Sequence, residues 1–135
     1  MKAKLFTDGG SRGNPGKAAA GIVLYDDNGK VIDTKGMYLG VTTNNIAEYK
    51  GIILGLETAI KNNIKKIDCF MDSELIIKQL NGQYKVKNQG LRELYNQVNK
   101  LKDNFEEITF THVLRSKNKN ADLLVNKVLD MQNDN

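Results

Sequence analysis

The amino-acid sequence predicts a single α/β domain, a five-stranded mixed sheet with flanking helices in the order βββαβααβα. Strand-like runs separated by turn residues fill the first forty positions, which is typical of an antiparallel meander. Helical periodicity then alternates with two further short apolar runs. Because no repeat or low-complexity linker interrupts the chain, we expect one domain over residues 1–131 and a frayed tail at 132–135.

The first three predicted strands are neighbours in a meander. Residues 2–7 read as a strand that ends at Asp-Gly-Gly, followed by a polar loop through residue 16 that holds the only proline. The runs at 18–25 and 31–39 favour β structure, and the Asn-Gly turn between them indicates a hairpin.

The second half of the chain alternates between helical and strand periods. Apolar residues spaced by three and four after Asn45 predict a long helix that ends near residues 62–63. Alternation over residues 64–71 predicts the fourth strand. The remaining predicted elements are a short helix at 73–80, a helix at about 88–102, a strand at 108–113 and a last helix around 121–128.

Composition limits the partner and the compartment. The net charge of +4 permits a polyanionic partner without requiring one, and only Arg12, Arg92 and Arg115 are available for bidentate phosphate contacts. A lone cysteine, Cys69, excludes a disulfide framework and indicates a buried thiol in a reducing compartment. No apolar leader or membrane-length segment is evident, so we expect a cytoplasmic protein without a membrane partner.

Four carboxylates stand at the ends or starts of predicted elements. Asp8 and Asp72 end the first and fourth strands, and Glu48 and Asp122 lie in the first turns of two helices. Side chains at such positions converge on a crevice at one edge of an open α/β sheet. The placement therefore allows all four groups to share one site.

Each acid also has a purely structural interpretation. Glu48 stands three residues after Asn45, as in a capping box, and Asp122 would be stabilised by the helix dipole. Asp72 could cap the next helix, and Asp8 could begin an Asx turn. These interpretations do not explain why every one of these acids has Gly, Ser, Thr or Asn within three residues.

Clustered carboxylates require cations, because like charges raise one another's pKa. A donor set of carboxylates without His or Cys suits a hard ion such as Mg²⁺, which keeps waters and substrate phosphates as further ligands. Two such ions can activate a water and stabilise the leaving oxygen in phosphodiester cleavage. The pattern predicts a hydrolase that acts on a phosphate polymer.

The chain resembles the type 1 ribonuclease H family. The matching stretches are, in the family's order, TDGGSRGNPG at 7–16, TTNNIAEYKGI at 42–52, FMDSELIIKQL at 70–80 and HVLRSKNKNAD at 112–122. The resemblance implies a ribonuclease H-like fold, in which the second strand of the five is antiparallel to the rest. It also implies an endonuclease that hydrolyses the RNA strand of RNA/DNA hybrids, leaving 5′-phosphate and 3′-hydroxyl ends.

By this resemblance Asp8, Glu48, Asp72 and Asp122 occupy the family's four metal-binding catalytic positions. Asp8 would bridge two Mg²⁺ ions, with Mn²⁺ as the alternative metal. Asp122 would complete the site of the ion that carries the attacking water, and Glu48 and Asp72 would hold the other.

Substrate contacts are implied by the same resemblance. Asn14, Asn44 and Asn45 match polar contacts to the RNA strand, whose 2′-hydroxyl is both donor and acceptor. Thr43 matches the family's pocket for a DNA phosphate. The alternative interpretation makes Asn14 a turn residue and Asn44 or Asn45 a helix cap, and both interpretations can hold together.

The sequence also departs from longer family members. Only residues 81–87 stand where those members carry a basic, Trp-rich protrusion, so we expect weaker hybrid affinity. The single histidine, His112, falls on a strand and is interpreted as structural. Arg115 is the candidate for the role of the family's loop histidine.

Two other functions remain open from the sequence. One is a non-catalytic nucleic-acid-binding domain of the same fold, and the other is a related integrase- or resolvase-type nuclease. We expect a monomer that binds RNA/DNA hybrid, with duplex RNA as a second possible substrate.

Overall fold

The predicted order of strands and helices is confirmed by the computed structural model, which describes residues 1–132. The elements are β1 (Ala3–Gly13), β2 (Gly16–Tyr25), β3 (Val31–Thr42), α1 (Asn44–Lys61), β4 (Lys66–Met71), α2 (Glu74–Leu80), α3 (Gln89–Lys102), β5 (Glu107–His112), a 3₁₀ turn (Arg115–Lys117) and α4 (Lys119–Gln132). Residue 132 of the predicted tail is therefore helical, and 133–135 lie outside the described residues. Within residues 1–132, no helix is long and apolar enough to cross a membrane.

The five strands form one mixed sheet in the order β3-β2-β1-β4-β5. β2 runs antiparallel to both of its neighbours, whereas β1, β4 and β5 are parallel, as the family resemblance implies. A large apolar core joins one face of the sheet to α1 and α3, and a small cluster of Ala19, Val125, Val128 and Leu129 joins the other face to α4. The helices thus cover both faces, as predicted.

The predicted end of the first strand is wrong. β1 continues through the Gly-rich segment to Gly13, because it pairs with β2 from Lys4↔Tyr25 to Gly13↔Gly16. A continuous antiparallel ladder satisfies the backbone groups of the glycines, which outweighs their low strand propensity. Asp8 therefore lies inside a strand and does not begin an Asx turn.

The residues that cap the helices also differ from those that the structural interpretations of the acids predicted. Thr43 caps α1, its Oγ1 accepting a hydrogen bond of 3.3 Å from the Ile46 N–H, so neither Asn44 nor Asn45 is the cap. Glu48 consequently lies in the second turn of α1, too far along for a capping box. Ser73 caps α2 in place of Asp72. Only Asp122 lies in the first turn of its helix as predicted.

A crevice opens where the parallel pairing of β1 with β4 stops. The last paired residues are Phe6 and Phe70, and both strand paths continue beyond them, β1 alongside β2 and β4 to its end at Met71. Asp8 and Asp72 each stand two residues past this last pair. The two acids therefore stand at equivalent positions on the two sides of the crevice, just beyond the last hydrogen-bonded pair of β1 and β4.

Close packing of α1 on β1 brings Glu48 to this crevice. A side chain at Gly9 would overlap the carbonyl group of Ala47 and come within 2.5 Å of the Glu48 nitrogen. Only glycine permits so close an approach of helix and strand backbones. Gly9 thus sets the distance between the strand that carries Asp8 and the helix that carries Glu48.

We predict that Gly9→Ala lowers the free energy of unfolding by about 2–3 kcal/mol, because the backbone of α1 has to move away from the added methyl group. Gly10→Ala is the matched control, since its methyl group would meet only the Asn44 Oδ1 at 3.6 Å and the Val125 Cγ1 at 3.8 Å. Urea unfolding of the two variants measures the difference. Equal stability of both would show that α1 can move at little cost.

Candidate active site

One cavity of about 190 Å³ contains all four predicted acids. It opens at the end of the β1–β4 pairing, between the first half of α1 and residues 122–129 of α4. Its lining residues are Asp8, Gly9, Gly10, Ser11, Arg12, Asn44, Glu48, Asp72, Arg115, Asp122, Val125, Asn126 and Leu129. Four different elements or their ends thus each supply one carboxylate to one small space.

The cavity shelters two of the carboxyl groups strongly. Asp8 is 9% and Glu48 is 7% exposed, and they are the only acidic residues among the buried polar groups of the described chain. Asp72 retains a side-chain exposure of 13%, and Asp122 is half-buried. The site therefore concentrates negative charge where water can offset it only in part.

Burial is the main cause of the raised pKa of Asp8, about 8. The nearby Asp72 and a shared hydrogen bond with Asp122 raise it further, against a smaller opposing effect of the Gly9 N–H. Burial and then Asp72 likewise raise the pKa of Glu48 to about 7, although Ser73 and Arg115 oppose the rise. Without a cation, this cavity holds protons on groups that are normally ionised at neutral pH.

Asp72 has an oxygen without a hydrogen-bond partner. Its Oδ2 atom is buried and accepts no hydrogen bond within the described residues. The nearest cation is the Arg115 guanidinium, whose Nε lies 3.9 Å away. Because the Arg115 side chain is 85% exposed, this ion pair contributes little to stability, and the charge of Asp72 remains largely uncompensated.

The donor set fits a hard divalent ion. It consists of four carboxylates, among them Asp8 and Glu48 with raised pKa values and one buried Asp72 oxygen that lacks a partner, and it includes no imidazole or thiolate. Among residues 1–132, no group of three or more His, Cys, Asp or Glu side chains is placed to hold one metal ion by itself. Mg²⁺ takes only a few carboxylates and completes its ligands with waters and substrate phosphates.

The predicted substrate residues lie at the mouth of the cavity and beyond it. Asn44 lines the cavity, and its Oδ1 accepts a hydrogen bond of 3.0 Å from the Ser11 N–H. The Asn14 Oδ1 in turn accepts one of 3.1 Å from the Asn44 N–H. Asn14, Thr43 and Asn45 are not part of the lining, although each is near Asn44 in the chain or by contact.

Sequence reasoning missed Ser11 and Asn126 of the cavity wall and considered Arg12 only for phosphate contacts. Asn126 follows Asp122 by four residues, so helical spacing places both on one face. Ser11 and Arg12 were hidden by the assignment of their segment to a loop. His112 is exposed at the end of β5 and does not line the cavity.

Similar proteins are known in sequence and structure. The family model described as reverse transcriptase-like matches residues 6–128. The crystal structure of RNase H1 from the halophilic archaeon Halobacterium salinarum is 38% identical with a TM-score of 0.94, covering 96% of this chain and 98% of that one. LC11-RNase H1, isolated from compost and solved in complex with an RNA/DNA hybrid, is 38% identical with a TM-score of 0.92 over the same shares.

A bifunctional protein of Mycobacterium tuberculosis is 40% identical over 131 residues, which are 96% of this chain and 36% of that protein. The chain thus spans about a third of that relative. The N-terminal RNase H domain of the same mycobacterial protein, solved as a fusion, superposes with a TM-score of 0.94. Matches over nearly the whole chain, at this identity and with this fold, establish the family: the chain belongs to the reverse transcriptase-like family and, within it, to the type 1 ribonucleases H.

Proposed function

We propose that this protein is an endonuclease that hydrolyses the RNA strand of RNA/DNA hybrids and leaves 5′-phosphate and 3′-hydroxyl ends. The observation that carries the proposal is the gathering of Asp8, Glu48, Asp72 and Asp122 around one cavity whose charge calls for a cation. The structure of LC11-RNase H1 with a hybrid supports the choice of substrate. Since one chain supplies all four carboxylates, we propose a monomeric enzyme.

The four carboxylates would hold two Mg²⁺ ions, with Mn²⁺ as the alternative because it accepts the same oxygen ligands. Bound ions would supply Lewis-acid stabilisation of the phosphate and a lower pKa for the attacking water. The pKa of Asp8 responds to both Asp72 and Asp122, so Asp8 has two of the other acids as close neighbours. Together with the family resemblance, this supports the bridging position for Asp8.

The amide side chains suit the ribose of the RNA strand. The oxygens of Asn14 and Asn44 accept hydrogen bonds within the protein, which leaves their amide N–H groups available as donors to a 2′-hydroxyl. Asn45, in the first turn of α1, is proposed as a third such contact. The Thr43 hydroxyl accepts from the Ile46 N–H and retains its own O–H to donate to a DNA phosphate.

A reducing compartment such as the cytoplasm is proposed on the state of Cys69. The thiol is free and buried, and burial raises its pKa, so it is kept from forming a thiolate or a disulfide. This agrees with a protein whose stability does not depend on a disulfide bond.

The substrate assignment predicts that cleavage requires a ribonucleotide 2′-hydroxyl beside the scissile phosphate. Labelled RNA/DNA hybrid, duplex RNA, duplex DNA and a four-way junction are incubated with and without Mg²⁺. We expect metal-dependent cleavage of the hybrid, no cleavage of duplex DNA, and products that carry 5′-phosphates. Binding without cleavage would indicate a non-catalytic domain, junction cleavage a resolvase, and 2′,3′-cyclic ends a different mechanism.

We predict that Asp8→Asn abolishes hybrid cleavage and stabilises the metal-free protein above neutral pH. The folded chain holds the Asp8 proton more tightly than the unfolded chain, so the free energy of unfolding falls as pH rises from 3.8 to about 8. The amide removes this loss, and each 1 kcal/mol regained raises the melting temperature by about 3–5 °C. The gain should vanish near pH 4, and circular dichroism should match the unaltered protein.

Asp33→Asn is the control, because Asp33 is a half-buried carboxylate on β3 that does not line the cavity. It should leave cleavage unchanged. Near-normal cleavage by Asp8→Asn would remove the metal assignment, and a melting temperature that does not respond to the substitution would show that neither burial nor the neighbouring acids raise the pKa of Asp8.

We predict that Arg115→Ala lowers turnover by about tenfold or more while hybrid affinity changes much less. A fixed positive charge beside Asp72 can attract the phosphate or orient water, but it does not titrate near neutral pH as a histidine would. Arg115→Lys should recover part of the rate, and the limbs of the pH–rate profile should persist. Lys117→Ala, in the same 3₁₀ turn, is the control for loss of an exposed charge. Single-turnover cleavage by Arg115→Ala at the unaltered rate would make Arg115 a solvated loop cation.

A further inference from the structure

Arg12 joins the end of β1 to the second half of α4. Its Nη2 atom lies 2.6 Å from the Asp130 Oδ1, and the same nitrogen is 3.3 Å from the Oδ1 and 3.5 Å from the backbone oxygen of Asn126. The side chain remains 39% exposed and borders the carboxylate cavity. An exposed ion pair of this kind adds little to the overall stability of the fold. Its role is therefore sought in the residues that it connects.

The hydrogen bonds continue from Arg12 to the acid of α4. The Asn126 amide accepts from Arg12 through its oxygen and donates through its nitrogen to the backbone oxygen of Asp122, at 3.1 Å. Because both ends of the amide are engaged, its orientation is fixed. Arg12 therefore contacts the turn of α4 that carries Asp122 through a single intermediate side chain.

A second connection lies on the other side of Asp122. The buried Asn118, just before α4, donates a hydrogen bond of 2.8 Å from its Nδ2 to the backbone oxygen of Thr7. Thr7 immediately precedes Asp8, and Arg12 follows Asp8 by four residues. The strand that carries Asp8 is thus bound to α4 both before and after the acid.

We propose that Arg12 is a positioning residue that, through Asn126 and Asp130, holds the Asp122 turn of α4 against β1 and so keeps Asp122 within reach of Asp8. The inference rests on the proposed function, since it concerns the metal-binding pair of that site. Arginine suits the task because its Nη2 group carries two N–H donors in one plane, which serve the Asp130 carboxylate and the Asn126 oxygen together, whereas the ammonium group of lysine is a point charge without fixed directions. Partners of this kind, one shell outside the metal ligands, commonly affect metal affinity and activity strongly.

The direction in which Mg²⁺ affinity changes when Arg12 is removed distinguishes a positioning role from a purely electrostatic one. Removing a positive charge near four carboxylates should by itself strengthen Mg²⁺ binding, because the cation no longer competes for the same field. Loss of positioning should instead weaken Mg²⁺ binding. Lys17 gives the matched control, since it is an exposed cation directly opposite Arg12 in the β1–β2 ladder.

The test is calorimetric titration of the whole chain with Mg²⁺ alone, at low ionic strength and without nucleic acid. We expect Arg12→Met to weaken Mg²⁺ binding by about tenfold, Arg12→Lys to restore part of the affinity, and Lys17→Met to leave it unchanged or slightly stronger. Arg12→Met and Asn126→Ala should be non-additive when combined, since they remove the same connection. In steady-state cleavage, kcat should fall while KM for the hybrid stays within about twofold.

The outcomes distinguish this inference from the function on which it rests. Unaltered protein that takes up no Mg²⁺ would overturn the metal assignment and this inference with it. Normal uptake by the unaltered protein and equal or tighter uptake by Arg12→Met would overturn the positioning role alone. A raised KM with a shallower salt dependence at unchanged Mg²⁺ affinity would make Arg12 a direct contact to a substrate phosphate, which also contradicts positioning.

Discussion

The mutual repulsion of four carboxylates is the constraint that the rest of the structure serves. In free solution such groups would separate or bind protons, whereas the fold keeps them together, and burial followed by the neighbouring Asp72 raises the pKa values of Asp8 and Glu48. The folded chain supplies the energy to keep them together from its apolar core, most of which lies on the opposite face of the sheet from α4. This concentrated negative charge would favour a bound cation, which is the basis of the metal site proposed above.

The scaffold holds the acids through backbone features more than through side-chain pairing. The positions of Asp8 and Asp72 are set by the point at which β1 and β4 stop pairing. The position of Glu48 is set by Gly9, which lets α1 approach β1 closely. Asp122 is positioned by a helix that side chains of Asn118 and Arg12 bind to β1. Asp8 and Asp72 thus share one backbone feature, whereas Glu48 and Asp122 each depend on a separate contact whose loss would displace a single carboxylate.

The sequence predicted most of the fold, because hydrophobic period and turn residues report local structure directly. It failed where pairing outweighed propensity: the glycines after Asp8 read as a loop, but β2 holds them in the sheet to Gly13. The four acids could be named from their positions and from the motifs around them. Arg12 and Asn126 could not, since their contact joins residues 114 positions apart, and no local pattern records such a separation.

The small apolar cluster beneath α4 has a consequence for how the molecule opens. α4 packs on the sheet through Ala19, Val125, Val128 and Leu129, whereas α1 and α3 share a core several times larger. Elements with fewer buried contacts open locally at a lower free energy than the whole domain. Detachment of α4 would carry Asp122 out of the cavity while the remaining sheet and helices stayed folded. Some molecules would then be folded but inactive, and amide hydrogen exchange along α4 would measure the fraction of molecules in this state.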